Sequence, residues 1–470
     1  MNRNRFQNTK RTRGWRAVAC LKGTDHTRQG GFFPGVALAL TLAVAAQSTA
    51  GAGQDTATAD SKERSLATLQ QATAYALAHS AKTKAAFQRW QSALAKIPQA
   101  QAFPDPRLSY SYYIENVETR VGPQEHKISL QQTLPWFGKR ALRGKVASAA
   151  AEAQRQLYEQ AKLDVLYEVK EAYFAFYYLK RAIAITRENL ELLAALEKVA
   201  RTRYKAGGPM LPLVQLQTEQ GKLDDRLKAL DALRPARVAR LNAALNRPTN
   251  LDLPWPQNVT VPDKELDVRR LKQHLAARNP MLKKLAATAR RHETAANLAA
   301  KNRWPDVTLG MTYIDTATAL NPGTPGSGRD PVMATVSVNL PIWRDNYAAE
   351  ENEAELKRSS VLEKKRDRRN GLEANLETAL FHYRDAGRKI NLYGKTLVPK
   401  AEQSFQVARQ TFEAGDTDFL SLIDAQRMLL EFELQYERAR TERARRLAEI
   451  EKLAGLDISN ADQPQNDSGE

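Results

Sequence analysis

Catalytic signatures are missing from this chain of 470 residues: it has no Gly-rich phosphate loop, no His-Glu-x-x-His and no nucleophile elbow. His126, His274, His292 and His382 read as isolated surface or packing residues. The only cysteine, Cys20, precedes the apolar run 32–46, whereas a lipid-attachment cysteine would follow it, so lipidation is not expected. Beyond residue 50 there is no cysteine, and histidine and methionine are scattered. No cluster of soft ligands therefore marks a metal site, and no cofactor is expected. The apolar run 32–46 is also too short for a comfortable membrane-spanning helix. Proline is absent from residues 140–203, and roughly 64 helical residues at about 1.5 Å each would extend close to 100 Å. No compact globule needs such a rod, and no cleft for an enzyme is evident in it.

Residues 1–50 read as an export signal. Arg3, Arg5, Lys10, Arg11, Arg13, Arg16, Lys22 and Arg28 form a basic leader, the apolar run follows, and Ser48-Thr49-Ala50 offers small residues for cleavage before Gly51. A retained N-terminal anchor is the alternative. Removing the leader, eight basic residues against Asp25, takes seven from a net charge of +18. The remaining Lys and Arg are spread beside Glu and Asp as on a solvated helix face, and no nucleic-acid motif accompanies them.

What is present is a duplication. Val169, Phe176, Ile183 and Leu190 recur every seven residues, and Leu376, Tyr383, Ile390 and Leu397 do the same about 207 residues later. Seven-residue apolar spacing keeps one seam of a helix against a partner helix. Flanking landmarks repeat in the same order: Phe103-Pro104-Asp105 with Trp304-Pro305-Asp306, Leu134-Pro135-Trp136 with Leu340-Pro341-Ile342-Trp343, and Tyr204-Lys205-Ala206-Gly207 with Phe412-Glu413-Ala414-Gly415. The expected organisation is a linker at 51–64, a first repeat at 65–248, a linker at 249–266, a second repeat at 267–457 and a polar tail at 458–470.

Each repeat is expected to run helix, β-hairpin, long helix, tight turn and return helix. In the first, a helix over about 66–95 ends at Pro98, Pro104 and Pro106, and the hairpin 107–134 leads to a long helix 140–205 and a return helix 211–245. In the second, a helix over about 271–302 precedes the hairpin 306–341, the long helix 347–412, interrupted only near Pro399, and the return helix 418–453.

The strands carry unlike faces. Leu108, Tyr110, Tyr112 and Ile114 alternate with Arg107, Ser109, Ser111 and Tyr113, and Val307, Leu309, Met311 and Tyr313 with Thr308, Gly310 and Thr312. Such strands fit a membrane β-barrel with a wet lumen, and equally a soluble hairpin packed on helices. In a membrane, four strands could not hide their edges, since single-chain barrels start near eight strands; several chains would have to share one barrel.

Taken together, the export signal, the duplicated order, the Leu134-Pro135-Trp136-Phe137-Gly138-Lys139-Arg140 run and the aromatic-x-Ala-Gly turns resemble the TolC-like outer-membrane efflux channel family, and the Trp-Phe-Gly-Lys stretch its heavy-metal branch. The resemblance implies a mainly α fold with a small β part. Duplicated coiled-coil hairpins would form a trimeric helical tunnel, and four strands per chain a shared twelve-stranded barrel. It implies a passive homotrimeric conduit in the Gram-negative outer membrane, in contact with outer-membrane lipid. Through a periplasmic adaptor and an inner-membrane pump it would export toxic metal ions or small organic molecules. The adaptor-contact tips would be Tyr204, Gly207, Gly208, Leu211, Leu213, Phe412, Gly415, Phe419 and Leu420. The periplasmic gate would use Asp424, with Ser421 where an Asp is familiar and Asp416 or Asp418 as substitutes. A periplasmic coiled-coil scaffold or adaptor that does not cross the membrane is the alternative.

Overall fold

A computed structural model describes residues 66–257, 265–321, 323–414 and 419–456. The export signal, the 51–64 linker, the polar tail, and Gly415, Asp416 and Asp418 lie outside the described residues.

The chain opens with α1 (Leu69–His79) and α2 (Ala81–Gln101). Thr68 caps α1 through a capping box with Gln71, closing two amides that the first turn leaves open. The single helix expected over 66–95 is two helices, because Ser80 adopts an extended ψ of 121° and its hydroxyl accepts from Thr83 N at 3.3 Å. Pro98 does not end the second: it sits inside α2, which runs on to Gln101. The hairpin β1 (Arg107–Val117) and β2 (Gln124–Leu134) then leads into α3 (Lys139–Lys205), α4 (Leu211–Ala244), α5 (Val268–Arg278) and α6 (Pro280–Asn302). The helix expected over 271–302 is likewise split, at Asn279. Its side chain accepts from Met281 N at 3.0 Å and Leu282 N at 3.3 Å, with Pro280 preset as the first helical residue. Both breaks are docked onto the end of a return helix, through Asn246 Nδ2 to His79 O and Asn279 Nδ2 to Leu453 O, each 3.0 Å.

Strands β3 (Val307–Thr316) and β4 (Val332–Val338) join the first pair in one antiparallel sheet of order β1-β2-β3-β4. There follow α7 (Arg344–Leu392), a π turn (Tyr393–Leu397), α8 (Val398–Ala414) and α9 (Phe419–Ala454). The π turn has a local cause. Pro399 has no amide to give, Val398 N reaches back five residues to Tyr393 O, and Gly394 lets the Tyr436 ring approach to where a Cβ would lie 2.6 Å from it. The seven-residue seam fades there: Leu376 and Tyr383 are buried, while Ile390 and Leu397 are only partly so. Among the described residues no helix is long and apolar enough to cross a membrane.

Three apolar clusters hold the helices. One centres on the first repeat, with Val169, Tyr173, Phe176 and Leu179 of α3 against Val238 and Leu241 of α4, Trp255 stacked on Phe176 at 4.8 Å, and Ala444 of α9 joining it. Another joins Leu271, Leu376, Leu380 and Ile450 of the second. The third unites the repeats: Leu193 and Leu196 of α3, Leu216 of α4, Phe405 of α8 and Leu422 of α9. Each fully buried side chain of this size contributes about 1.5–3 kcal/mol. Helix α9 runs antiparallel to α3, with Lys170–Glu451 at 2.5 Å, Glu171–Arg445 at 3.0 Å, Arg181–Glu437 at 3.0 Å and Asn189–Gln426 at 3.0 Å along the seam.

Candidate functional site

Helix α3 ends in a left-handed turn. Gly207 has φ +91°, Gly208 N bonds Arg203 O at 2.9 Å and Gly207 N bonds Tyr204 O at 3.0 Å, the paired bonds of a Schellman end. Arg203 then reaches the second tip, its guanidinium 4.9 Å from the Phe412 ring and Nη2 2.6 Å from Glu413 O. Phe412 and Phe419 pack at 5.7 Å. Of the residues expected to meet an adaptor, Tyr204, Gly207, Leu211 and Leu420 are exposed and Gly208 is half-buried. Leu213, Phe412 and Phe419 are buried in the core that unites the repeats, so they support the tip surface rather than form it. Met210 and Val214, not singled out from the sequence, are exposed apolar residues beside Leu211.

The expected gate residue Asp424 is exposed, its side chain 69% accessible, and lies 3.5 Å from Arg427 Nη1. Ser421, one turn nearer the tip, is exposed as well. Arg427 also makes a two-point bond to buried Glu219 on α4, which takes Lys222 Nζ at 2.7 Å. The Arg427 bonds hold the Glu219 carboxyl below its usual range, with burial opposing and Lys222 assisting. Glu219 and Arg427 thus tie the two return helices together just above the tips. The separation between them equals that between Tyr204 and Phe412, so they occupy equivalent positions in the two repeats.

At the other end of the helices the sheet has one apolar and one polar face. Register pairs Tyr110 with Ile128 and Ile128 with Tyr313, and likewise Leu108 with Leu130 and Leu130 with Met311. These side chains are exposed, as is Ile114 at 92%. The opposite face joins Ser129 to Thr312 (3.1 Å) and Thr133 to Thr308 (2.9 Å) through hydroxyls. Where β2 and β3 meet the helices, two landmarks of different repeats interlock. Trp136 stacks on Trp304 at 5.3 Å, and nearly buried Lys139, its side chain 4% accessible, bonds Asp306 at 2.7 Å and Trp304 O at 2.8 Å. Asp306 also accepts Trp136 N at 2.8 Å.

Long helical hairpins carrying a small sheet with an apolar outer face and a hydroxyl-lined inner face define a channel of the outer membrane. The chain belongs to the outer membrane efflux protein family, whose model matches residues 72–247 and 271–456. It is 22% identical over 384 residues to the cobalt-zinc-cadmium resistance protein CzcC of Cupriavidus metallidurans, covering 78% of this chain and 85% of that protein. Its fold is that of the solved outer-membrane channel OprN (TM-score 0.71, 18% identity, 83% of this chain and 90% of that one). It is shared with CusC (0.69, 14%, 83% and 92%) and with VceC of Vibrio cholerae (0.67, 16%, 83% and 96%).

Proposed function

We propose that three copies of this chain close one twelve-stranded barrel and serve as the passive exit duct of a tripartite pump exporting divalent metal ions. The observation that carries the assembly is the sheet's pair of open edges. β1 and β4 each have one neighbour, and both strands expose apolar side chains that water does not favour. Leu340, Ile342 and Trp343 stand exposed beyond β4, where Trp136, beyond β2, is stacked on Trp304. A neighbouring copy's β1 completes β4 in this reading. Native mass determination of the detergent-extracted outer-membrane protein is expected to give three copies; a stable monomer would refute the shared barrel.

Two helix tips per chain offer Tyr204, Gly207, Met210, Leu211, Val214 and Leu420 to a periplasmic adaptor, which leads to the inner-membrane pump. Replacing Leu211 and Leu420 together with Asp is expected to reduce adaptor crosslinking at least about tenfold, the loss of two exposed apolar contacts of 1–2 kcal/mol each, while leaving assembly intact. Undiminished crosslinking would remove the tips from that role. The gate is assigned to Asp424, one carboxylate per copy, with Arg427 and Glu219 holding α9 against α4 in the narrow state. Asp416 and Asp418 remain candidates for the same ring. Metal cargo rests on the resemblance to a cobalt-zinc-cadmium resistance protein. Deleting the chain from its host should raise sensitivity to those three ions; increased sensitivity to organic toxicants alone would reassign the cargo.

A further inference from the structure

Histidine 126, isolated in the sequence, is not isolated in the fold. Along β2, Gln124 pairs with Thr316 of β3 and His126 pairs with Asp315, so Glu125 and His126 together stand opposite one residue. That is a β-bulge, which breaks the alternation of faces and brings adjacent side chains to one place. One potential ligand atom each from Glu125, His126 and Asp315 lies within 4.8 Å of the others, and all three residues are half-buried. The His126 ring is held from the side: the Tyr110 hydroxyl meets Nδ1 at 2.9 Å and the Tyr112 ring lies 5.2 Å away. The cluster thus sets one imidazole beside two carboxylates from two different strands.

We propose that Glu125, His126 and Asp315 form a binding site for a divalent cation of the Zn²⁺ or Co²⁺ kind at the loop end of the β2–β3 seam. One imidazole with two carboxylates suits these ions; without a thiolate or thioether it does not suit Cu(I), and the imidazole sets it apart from the all-oxygen sites of Ca²⁺ and Mg²⁺. Tyr110 acts as a positioning residue that fixes the ring, as outer-shell partners of ligating histidines do. The site shares the face of Ile128 and Tyr313, away from the hydroxyl-lined face, so it holds a resident ion at the outer rim rather than cargo in transit. Its consequence is mechanical. β2 and β3 are the one neighbouring pair in the sheet not joined by a hairpin loop, and a cation there clips together hairpins separated by the whole of α3 to α6. The inference does not depend on the nature of the cargo.

Untagged full-length protein in detergent, stripped with chelator, is titrated with Co²⁺ alone and then with Zn²⁺, following the visible absorption of bound Co²⁺ and the heat of binding. One saturable site per chain is expected, its Co²⁺ spectrum erased by Zn²⁺. His126→Ala should abolish that spectrum, and the shape-conserving pair Glu125→Gln with Asp315→Asn should weaken binding at least tenfold, with the strand signal in circular dichroism unchanged. Tyr110→Phe should weaken it about 10- to 100-fold, the range for a lost outer-shell partner. Absence of saturable Co²⁺ binding in the parent protein, or equal stoichiometry and spectrum in the parent and both ligand variants, would overturn the assignment.

Discussion

Two junctions between sheet and helices use one sequence pattern, and they end differently. At the inner one, Leu134-Pro135-Trp136 meets Trp304-Pro305-Asp306 within the same chain: the tryptophans stack, and Lys139 is spent on Asp306. At the outer one, Leu340-Pro341-Ile342-Trp343 follows the free edge strand β4, and Phe103-Pro104-Asp105 precedes the free edge strand β1. Among the described residues no hydrogen bond or ring contact joins those two, and Trp343 is 74% exposed. Where Lys139 stands in the first run, Asp345 stands in the second, so the outer junction cannot repeat the ion pair with Asp105. The inner junction therefore contributes to the stability of one chain by a desolvated pair. At the outer one the exposed apolar area of Leu340, Ile342 and Trp343 gains nothing while water covers it.

The comparison can be broken from the inner side. Lys139→Met leaves the Asp306 carboxylate partly buried without its cation, and should cost about 3 kcal/mol of chain stability, read by denaturant unfolding. A cost within error of zero would mean that the stacked tryptophans alone hold the junction. From the outer side, replacing Ile342 and Trp343 together with Ser should leave unfolding of the chain unchanged. The fraction of assembled protein on native gels should fall several-fold, each covered side chain being worth about 1.5–3 kcal/mol.

The tips sharpen the contrast between a pair that is desolvated and one that is wet. Glu219→Gln removes the buried anchor of Arg427 and should raise single-channel conductance in planar bilayers. The folded carboxyl titrates below the ordinary glutamate value of about 4.3, so the pair contributes fully above that value and is lost as the pH falls through the lower, folded one. The parent protein should thus open on acidification below about pH 4, and the variant should be insensitive over the same window. Asp424→Ala, which removes only an exposed carboxylate, should have the smallest effect, a weaker block by multivalent cations with little change in conductance. Identical block would take Asp424 out of the gate.

The long helices and unlike strand faces were legible because they rest on periodicity, which survives in a single chain: Val169, Phe176 and Ile183 announce a buried seam, and Tyr110 and Ile128 an apolar face. The breaks at Ser80 and Asn279 were not, since one polar residue inside an otherwise helical run looks like any solvated position until its cap bonds are seen. Leu213 and Phe419 were assigned to the tip surface by distance from the turn, but turn proximity says nothing of which way a helix faces its partner. The grouping of His126 with Asp315 required both a bulge and a pairing between strands about 190 residues apart, neither of which leaves a trace in alternation.

The π turn at Tyr393–Leu397 sets the phase of everything beyond it. A π turn holds one more residue than an α turn, so the residues beyond it face roughly 100° away from where an unbroken α-helix would put them. Helix α8 consequently delivers Phe405 and Phe412 to the inner side of the tip, where an unbroken helix would have pointed them elsewhere. The turn works as a vernier between the two ends of the rod: the sheet end and the tip end are each set by their own partners, and five residues beside Pro399 absorb the angular difference between them.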